Sequence, residues 1–149
     1  MIHIAMAASI FTKIINHEIP AHFVYEDEHC VAILDKFPAV KGQSLVIPKE
    51  EVDYAFDMDD DSYIHLFKTA KMMAKASDKA FNAARTCLVV EGFEVPHVHV
   101  KIYPMADTKR ALGAILPEGQ EASDEELAIA ATQLTAAIDE MIGDETESA

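Results

Sequence analysis

The 149-residue chain has no tryptophan, only two cysteines and only twelve lysines and arginines. Each shortage removes a class of protein. Cys30 and Cys87 are too few for a disulfide framework and too far apart for a CxxC metal or redox pair, which favours a reducing compartment and a cytoplasmic protein. No apolar run approaches the roughly 18 residues of a membrane span, so no membrane partner is expected. The opening MIHIAMAAS lacks the basic stretch and sustained apolar run of a secretory leader and reads as a loose terminus over residues 1–8. Neither GxxxxGK[ST] nor GxGxxG occurs, which leaves a P-loop or dinucleotide fold without support. Twelve basic against 26 acidic residues give a net charge of −14, which opposes binding to a nucleic-acid backbone or an anionic membrane. A small phosphate remains compatible where positive charge is local.

What is present is an ordinary globular composition, 50% apolar and 26% charged, in a length that suits one domain with its own core. SIFTKII (9–15) carries apolar residues at helical spacing behind a Ser9 cap and stops before Pro20. FVYED (23–27) and CVAILD (30–35) form a hairpin pattern, and SLVIP (44–48) after Gly42 reads as a third strand. From Asp59 the period changes: Tyr63, Leu66, Phe67, Ala70, Met73, Ala74, Ser77 and Ala80 predict a long amphipathic helix with acids at its positive end. TCLVV (86–90) and HVHVKIY (97–103) return to strand chemistry. A last helical stripe, Leu127, Ala130, Ala131, Leu134, Ala137, Ile138 and Met141, opens at Ser123 with Glu126 three residues on and closes at Gly143. Residues 118–149 hold ten acids and no Lys or Arg, so the first 117 carry only −4. Short strands in hairpin order around one long helix predict an antiparallel α+β domain over 9–117, with 118–149 an acidic helical extension packed on it or flanking it.

Chemistry concentrates in Pro96-His97-Val98-His99-Val100-Lys101-Ile102-Tyr103-Pro104. On a strand, His97, His99, Lys101 and Tyr103 would share one face and Val98, Val100 and Ile102 the other. Such a row could bind phosphate, with a neutral imidazole attacking phosphorus and Lys101 offsetting charge on the phosphate oxygens. It could equally be the polar face of an edge strand, or two histidines reaching one metal ion, although two histidines and a lysine make a poor cage. His3, His17, His22, His29 and His65 have no motif partner nearby and read as surface residues.

Taken in order, SIFTKIINHEIP, VYEDE, AILDKFP, GQSLVIPK, VDYAFDMDDD and EVPHVHVKIYP, spread over residues 9–104, resemble the histidine triad (HIT) family of nucleotide-binding hydrolases and transferases. The resemblance implies a five-stranded antiparallel sheet with a long helix and a C-terminal helix, and a homodimer whose sheets join across a two-fold axis. It implies that His99 attacks the α-phosphate of a purine nucleotide and that water then releases the monophosphate. His97 becomes the first triad histidine, helping to orient the site, and Asp35 the acid that binds the ribose hydroxyls. Ile10, Phe11, Ile14 and Ile33 fall at the apolar purine pocket, although Ile14 suits ordinary core as well.

The chain departs from the family pattern at several positions. Lys101 stands at the third histidine, where it keeps a charge but is a poor proton shuttle. Gln43 replaces a histidine that often lines the site, and Glu94 lies near a position where neutral phosphate contacts are common. Zinc-binding members use a CxxC, a later histidine and a triad histidine; here those positions are Ser9, Thr12, Glu51 and His97, so no metal is expected. No cofactor is implied, though a polyphosphate substrate would bring a divalent cation with it. Retention of His97, His99 and Asp35 favours an enzyme cleaving purine nucleoside phosphoramidates or dinucleoside polyphosphates. The substitutions leave a catalytically weak nucleotide-binding or interaction protein as the alternative.

Overall fold

The structure, a computed structural model, describes residues 7–107, 121, 123–126, 128, 129, 132, 135, 136 and 143. The chain divides into two compact units, Met1–Leu116 and Pro117–Ala149. In the first, the order is α1 (Ile10–Ile15), β1 (Phe23–Glu26), β2 (Cys30–Leu34), β3 (Ser44–Pro48), a 3₁₀ turn (Ala55–Asp57), α2 (Asp60–Phe81), β4 (Arg85–Val89) and β5 (Val100–Met105). The five strands form one antiparallel sheet in the order β1-β2-β3-β5-β4, so the expected α+β architecture is the observed one.

Both faces of this sheet are apolar because both are covered. Cys30, Ala32, Val46, Val100 and Ile102 point to one side and pack with Leu66, Ala70 and Met73 of α2. Val31, Ile33, Leu45 and Ile47, the alternate positions, pack with Phe11 and Ile14 of α1. That is why CVAIL and SLVIP read as unbroken apolar runs. Each fully buried branched side chain contributes about 1.5–3 kcal/mol. Ser9 caps α1 by accepting from the Thr12 N–H, and Asp59 caps α2 through Ser62. Asn82, in the left-handed region at φ 49°, ends α2. Just before β3, Gly42 has φ +82°, and a Cβ there would run into the Phe81 ring. Only glycine lets that turn approach the end of α2.

The last two strands differ from the sequence reading. β5 starts at Val100, not at residue 97, because the backbone before it is engaged elsewhere: the His97 N–H donates to Val95 O and the Val98 N–H to Val52 O, both at 2.8 Å. β4 starts and ends one residue earlier than expected, its ladder opening at Arg85 opposite Met105. In the second unit Ser123 and Glu126 form the predicted capping box, the Ser123 N–H reaching Glu126 Oε2 at 2.8 Å and the Glu126 N–H reaching Ser123 Oγ at 3.2 Å. Gly143, expected to close the helix, is itself helical; a helical glycine costs about 1 kcal/mol relative to alanine. The apolar stripe Leu127, Ala130, Ala131, Leu134, Ala137, Ile138 and Met141 lies outside the described residues, as do residues 1–6 with His3.

Candidate functional site

The segment before β5 delivers two buried imidazoles. His97 is fully buried and His99 nearly so, while Lys101, one residue into the strand, is half-buried. Each ring has one nitrogen bonded to a carbonyl oxygen, which can only accept. His99 Nδ1 lies 2.8 Å from the His97 carbonyl oxygen, so Nδ1 carries the proton and Nε2 keeps its lone pair. His97 Nε2 lies 2.8 Å from the Pro48 carbonyl oxygen at the end of β3, so this ring carries its proton on Nε2. Burial pushes the His99 pKa below the ordinary histidine value; the bond to the His97 carbonyl opposes this and the Lys101 charge adds to it. His99 is therefore neutral at physiological pH.

α1 brings its apolar face against these rings. Phe11 stands edge-on to His99 at 4.9 Å and to His97 at 5.9 Å between centroids. Ile14 and Ile33 are buried in the same layer with Leu45 and Ile47, whereas Ile10 is about half exposed. Four predicted site residues thus divide into one that touches the histidines, two that build the wall behind it and one that faces solvent.

Asp35 and Gln43 face each other across the loop that joins β2 to β3. The Gln43 side-chain amide donates to Asp35 Oδ2 at 2.7 Å, and its oxygen accepts from the Ala39 N–H at 2.7 Å. Asp35 Oδ1 takes the Phe37 N–H at 2.9 Å. The amide that replaces a histidine in the family pattern therefore orients the acid.

Lys101 does not stand free, for its ammonium pairs with Glu91 in the segment after β4. Burial opposes the charge, but Glu91 outweighs it and raises the lysine pKa. Glu94 is exposed and contributes a weaker field at Lys101. Sequence reasoning singled out Glu94 and missed Glu91. The hairpin register, with Val89 opposite Lys101, was the signal that brings residue 91 back over this end of β5.

Two more clusters lay hidden in the sequence. Ser9 Oγ is 2.6 Å from His97 Nδ1, and Glu51 Oε1 accepts from the Ser9 N–H at 2.5 Å and the Thr12 hydroxyl at 2.9 Å. The four positions that bind zinc elsewhere in the family thus meet here through hydrogen bonds among three oxygen-bearing side chains and one imidazole. That set lacks the thiolates and paired nitrogens that zinc favours.

His65, expected to be surface decoration, is instead bonded through Nε2 to Asp27 Oδ2 at 2.8 Å, with the His29 ring edge-on to it at 5.0 Å. His17, His22 and His29 are exposed as expected, His17 with its ring 5.0 Å from that of Phe23. Asp27 also accepts from the His29 and Cys30 N–H groups and from Tyr25 Oη. Burial works against its charge, yet these four donors hold the carboxyl far below the usual range. Asp27, Cys30 and His65 each bring one donor atom to within 4.8 Å of the others, a set that could take an ion. Two ligands of one tetrahedral zinc sit about 3.4 Å apart, so the 2.8 Å contact between Asp27 and His65 is a direct hydrogen bond that ties the hairpin to α2.

Two cavities, of about 140 and 480 Å³, lie elsewhere: one between Cys30, Pro48 and Ser62, the other between Val40, Phe81 and Pro104.

Comparison with known proteins agrees with this geometry. The HIT domain profile matches residues 16–108. A HIT-like protein of Methanocaldococcus jannaschii is 42% identical over 99 residues, covering 64% of this chain and 77% of that one. An adenosine 5'-monophosphoramidase of Saccharomyces cerevisiae is 35% identical over 107 residues, covering 71% of this chain and 68% of its own. The crystal structure of a HIT family protein from Bacillus anthracis superposes with a TM-score of 0.69 at 31% identity, covering 86% of this chain and 95% of that one. With its whole five-stranded sheet and both buried histidines inside the matched span, the chain belongs to the HIT domain family.

Proposed function

We propose that the protein is a nucleotide hydrolase or nucleotidyl-transferase that works through a covalent nucleotidyl-His99 intermediate. Its substrates are purine nucleoside phosphoramidates or dinucleoside polyphosphates, the latter with a divalent cation. The observation that carries this reading is the 2.8 Å bond from His99 Nδ1 to the His97 carbonyl. It leaves Nε2 as an unprotonated nucleophile, and burial keeps the ring neutral. The Nε2 lone pair attacks the α-phosphorus, and the bond to the leaving group breaks with its electron pair departing on that group, which takes a proton from solvent when it is an amine. Water then attacks the same phosphorus and gives a proton to solvent, the P–N bond breaks with its pair returning to Nε2, and nucleoside monophosphate leaves with His99 restored.

Asp35, oriented by Gln43 and by the Phe37 N–H, supplies acceptors for the ribose hydroxyls. Phe11, with Ile10 open beside it and Ile14 and Ile33 behind, supplies the apolar surface for the base. Lys101, kept charged by Glu91, is a phosphate clamp and not an acid. A cytoplasmic homodimer completes the proposal, supported by β4 as an open sheet edge with Leu88 and Val90 exposed beside it.

A second reading draws support from the Lys101–Glu91 pair. With the cation already engaged, a nucleotide-binding or interaction protein with weak turnover is the alternative. Intact-mass measurement after brief mixing with adenosine phosphoramidate, quenched without acid, separates the two. A nucleotide-sized adduct in the native chain and none in His99→Asn is the expected result; neither adduct nor product leaves the second reading.

A further inference from the structure

The buried His97 ring has two polar corners, and both are spoken for. Nε2 donates to Pro48 O at 2.8 Å, so in the neutral ring Nδ1 is an acceptor. The group that faces it is Ser9 Oγ at 2.6 Å. Ser9 Oγ already accepts the Thr12 N–H at 3.0 Å as the cap of α1, and its single proton faces His97 Nδ1 at 2.6 Å, with the Glu51 carboxylate as a second acceptor. Thr12 Oγ1 is a poorer target for that proton, 3.3 Å away, and spends its own on Glu51 at 2.9 Å. Glu51 is charged, held below the ordinary carboxylate range by the Ser9 N–H first and then by the Thr12 hydroxyl. One carboxylate oxygen thus fixes the first turn of α1 by two bonds, and that turn fixes His97.

We propose that Glu51 and Ser9 are positioning residues for the nucleophile. The Glu51 carboxylate anchors α1 so that the Ser9 hydroxyl is aimed at His97 Nδ1, and His97, held at both corners, presents its own carbonyl to His99 Nδ1–H. This rests on His99 being the nucleophile. The relay runs over three elements far apart in sequence, from the segment after β3 to the cap of α1 to the turn before β5. It ends at the atom pair that decides which imidazole nitrogen is free. Because Phe11 of α1 packs on both rings, the same anchor sets the wall and the nucleophile together.

The experiment uses the full chain with Ser9→Ala, Ser9→Thr, Glu51→Ala and Glu51→Gln. It reads the single-turnover rate of adduct formation with adenosine phosphoramidate, the affinity for AMP, the thermal midpoint, and the ring ¹⁵N shifts of His97 and His99. Ser9→Ala and Glu51→Ala are each expected to slow adduct formation about tenfold, as small misplacements of a reacting group do, with AMP affinity within about threefold. In both, the His99 ring nitrogens are expected to move from one N–H tautomer toward a mixture as the His97 carbonyl loses its fixed aim, which a merely structural role would not produce. Ser9→Thr keeps a hydroxyl and a cap and is expected to recover both readings. Should Ser9→Ala fail to fold, Glu51→Gln carries the test, slowing the step about threefold because an amide oxygen accepts less strongly than a carboxylate. Unchanged rate and unchanged shifts in these variants, or failure of Ser9→Thr to recover them, would overturn the proposal. If the native chain forms neither adduct nor product, the nucleophile assignment falls separately. The ¹⁵N shifts then decide on their own: a mixed His99 tautomer in Ser9→Ala upholds the relay, and unchanged shifts sink it.

Discussion

His99 and His97 are joined through the backbone: the Nδ1 of one ring lies 2.8 Å from the carbonyl oxygen of the residue two before it. A side chain that spends its only N–H on a neighbouring peptide has its other nitrogen committed to being a base or nucleophile. That commitment gives the acid limb of the activity a definite position. The His99 pKa is lowered from 6.5 by burial, so kcat/KM is expected to stay level through neutral pH and fall with a midpoint below 6.5. A pH–rate profile of the native chain checks this, and a midpoint above 6.5 would contradict it. Stability follows the same sign. Below pH 6.5 the unfolded chain takes up a proton at this position more readily than the folded one, so the folded state loses ground as pH falls through that window.

Lys101→Ala is expected to weaken AMP binding by about tenfold, the loss of one charge-assisted hydrogen bond of about 1.5 kcal/mol. Lys101→His is expected to lose less, and to raise turnover of an amine leaving group relative to a phosphate leaving group, since imidazole can give up a proton where the paired ammonium does not. Equal affinities in the two variants would remove the clamp from the mechanism.

Asp27 ties the β1–β2 hairpin to α2 through four donors. Asp27→Ala is expected to cost about 2 kcal/mol at pH 7, because it strands several partners at once. Its folded pKa is depressed, so the contribution is whole above the unfolded value near 3.8 and is lost as pH falls through the folded one. Urea unfolding of both chains should therefore show a gap at pH 7 that narrows in strong acid.

Ser44 places a fully buried hydroxyl on β3 with no hydrogen-bond partner among the described residues. Ser44→Ala removes an unsatisfied group worth about 1 kcal/mol and is expected to raise the thermal midpoint by about 2–4 °C. A lower midpoint would mean that the hydroxyl is satisfied after all.

The regular elements were legible because each has a local cause. Ser9 and Asp59 announce helix starts, and the switch from period two to period 3.6 after residue 59 separates α2 from the strands. His97 and His99 were legible as a pair, and Asp35, Gln43 and Phe11 through the family resemblance. What stayed hidden was everything decided by register or by distant chain. Alternation placed His97 on a strand, but backbone bonds to Val95 and Val52 take residues 97 and 98 out of the ladder. Glu91 meets Lys101 only because β4 and β5 pair in one register. Glu51 meets Ser9 across 42 positions, and His65 meets Asp27 across 38. No local pattern encodes either pairing.

Pro48, whose carbonyl takes the His97 proton, ends a strand buried along its whole length and flanked on both sides in the sheet. In amide-exchange terms β3 should be among the last backbone to open, while β1 and β4, at the two edges, open early. The support of the His97–His99 pair is therefore rooted in the slowest-breathing part of the molecule, and the Asp35–Gln43 loop, strung between the inner strands β2 and β3, shares that footing. The segment bearing Glu91 leaves the edge strand β4 and hangs from the faster margin.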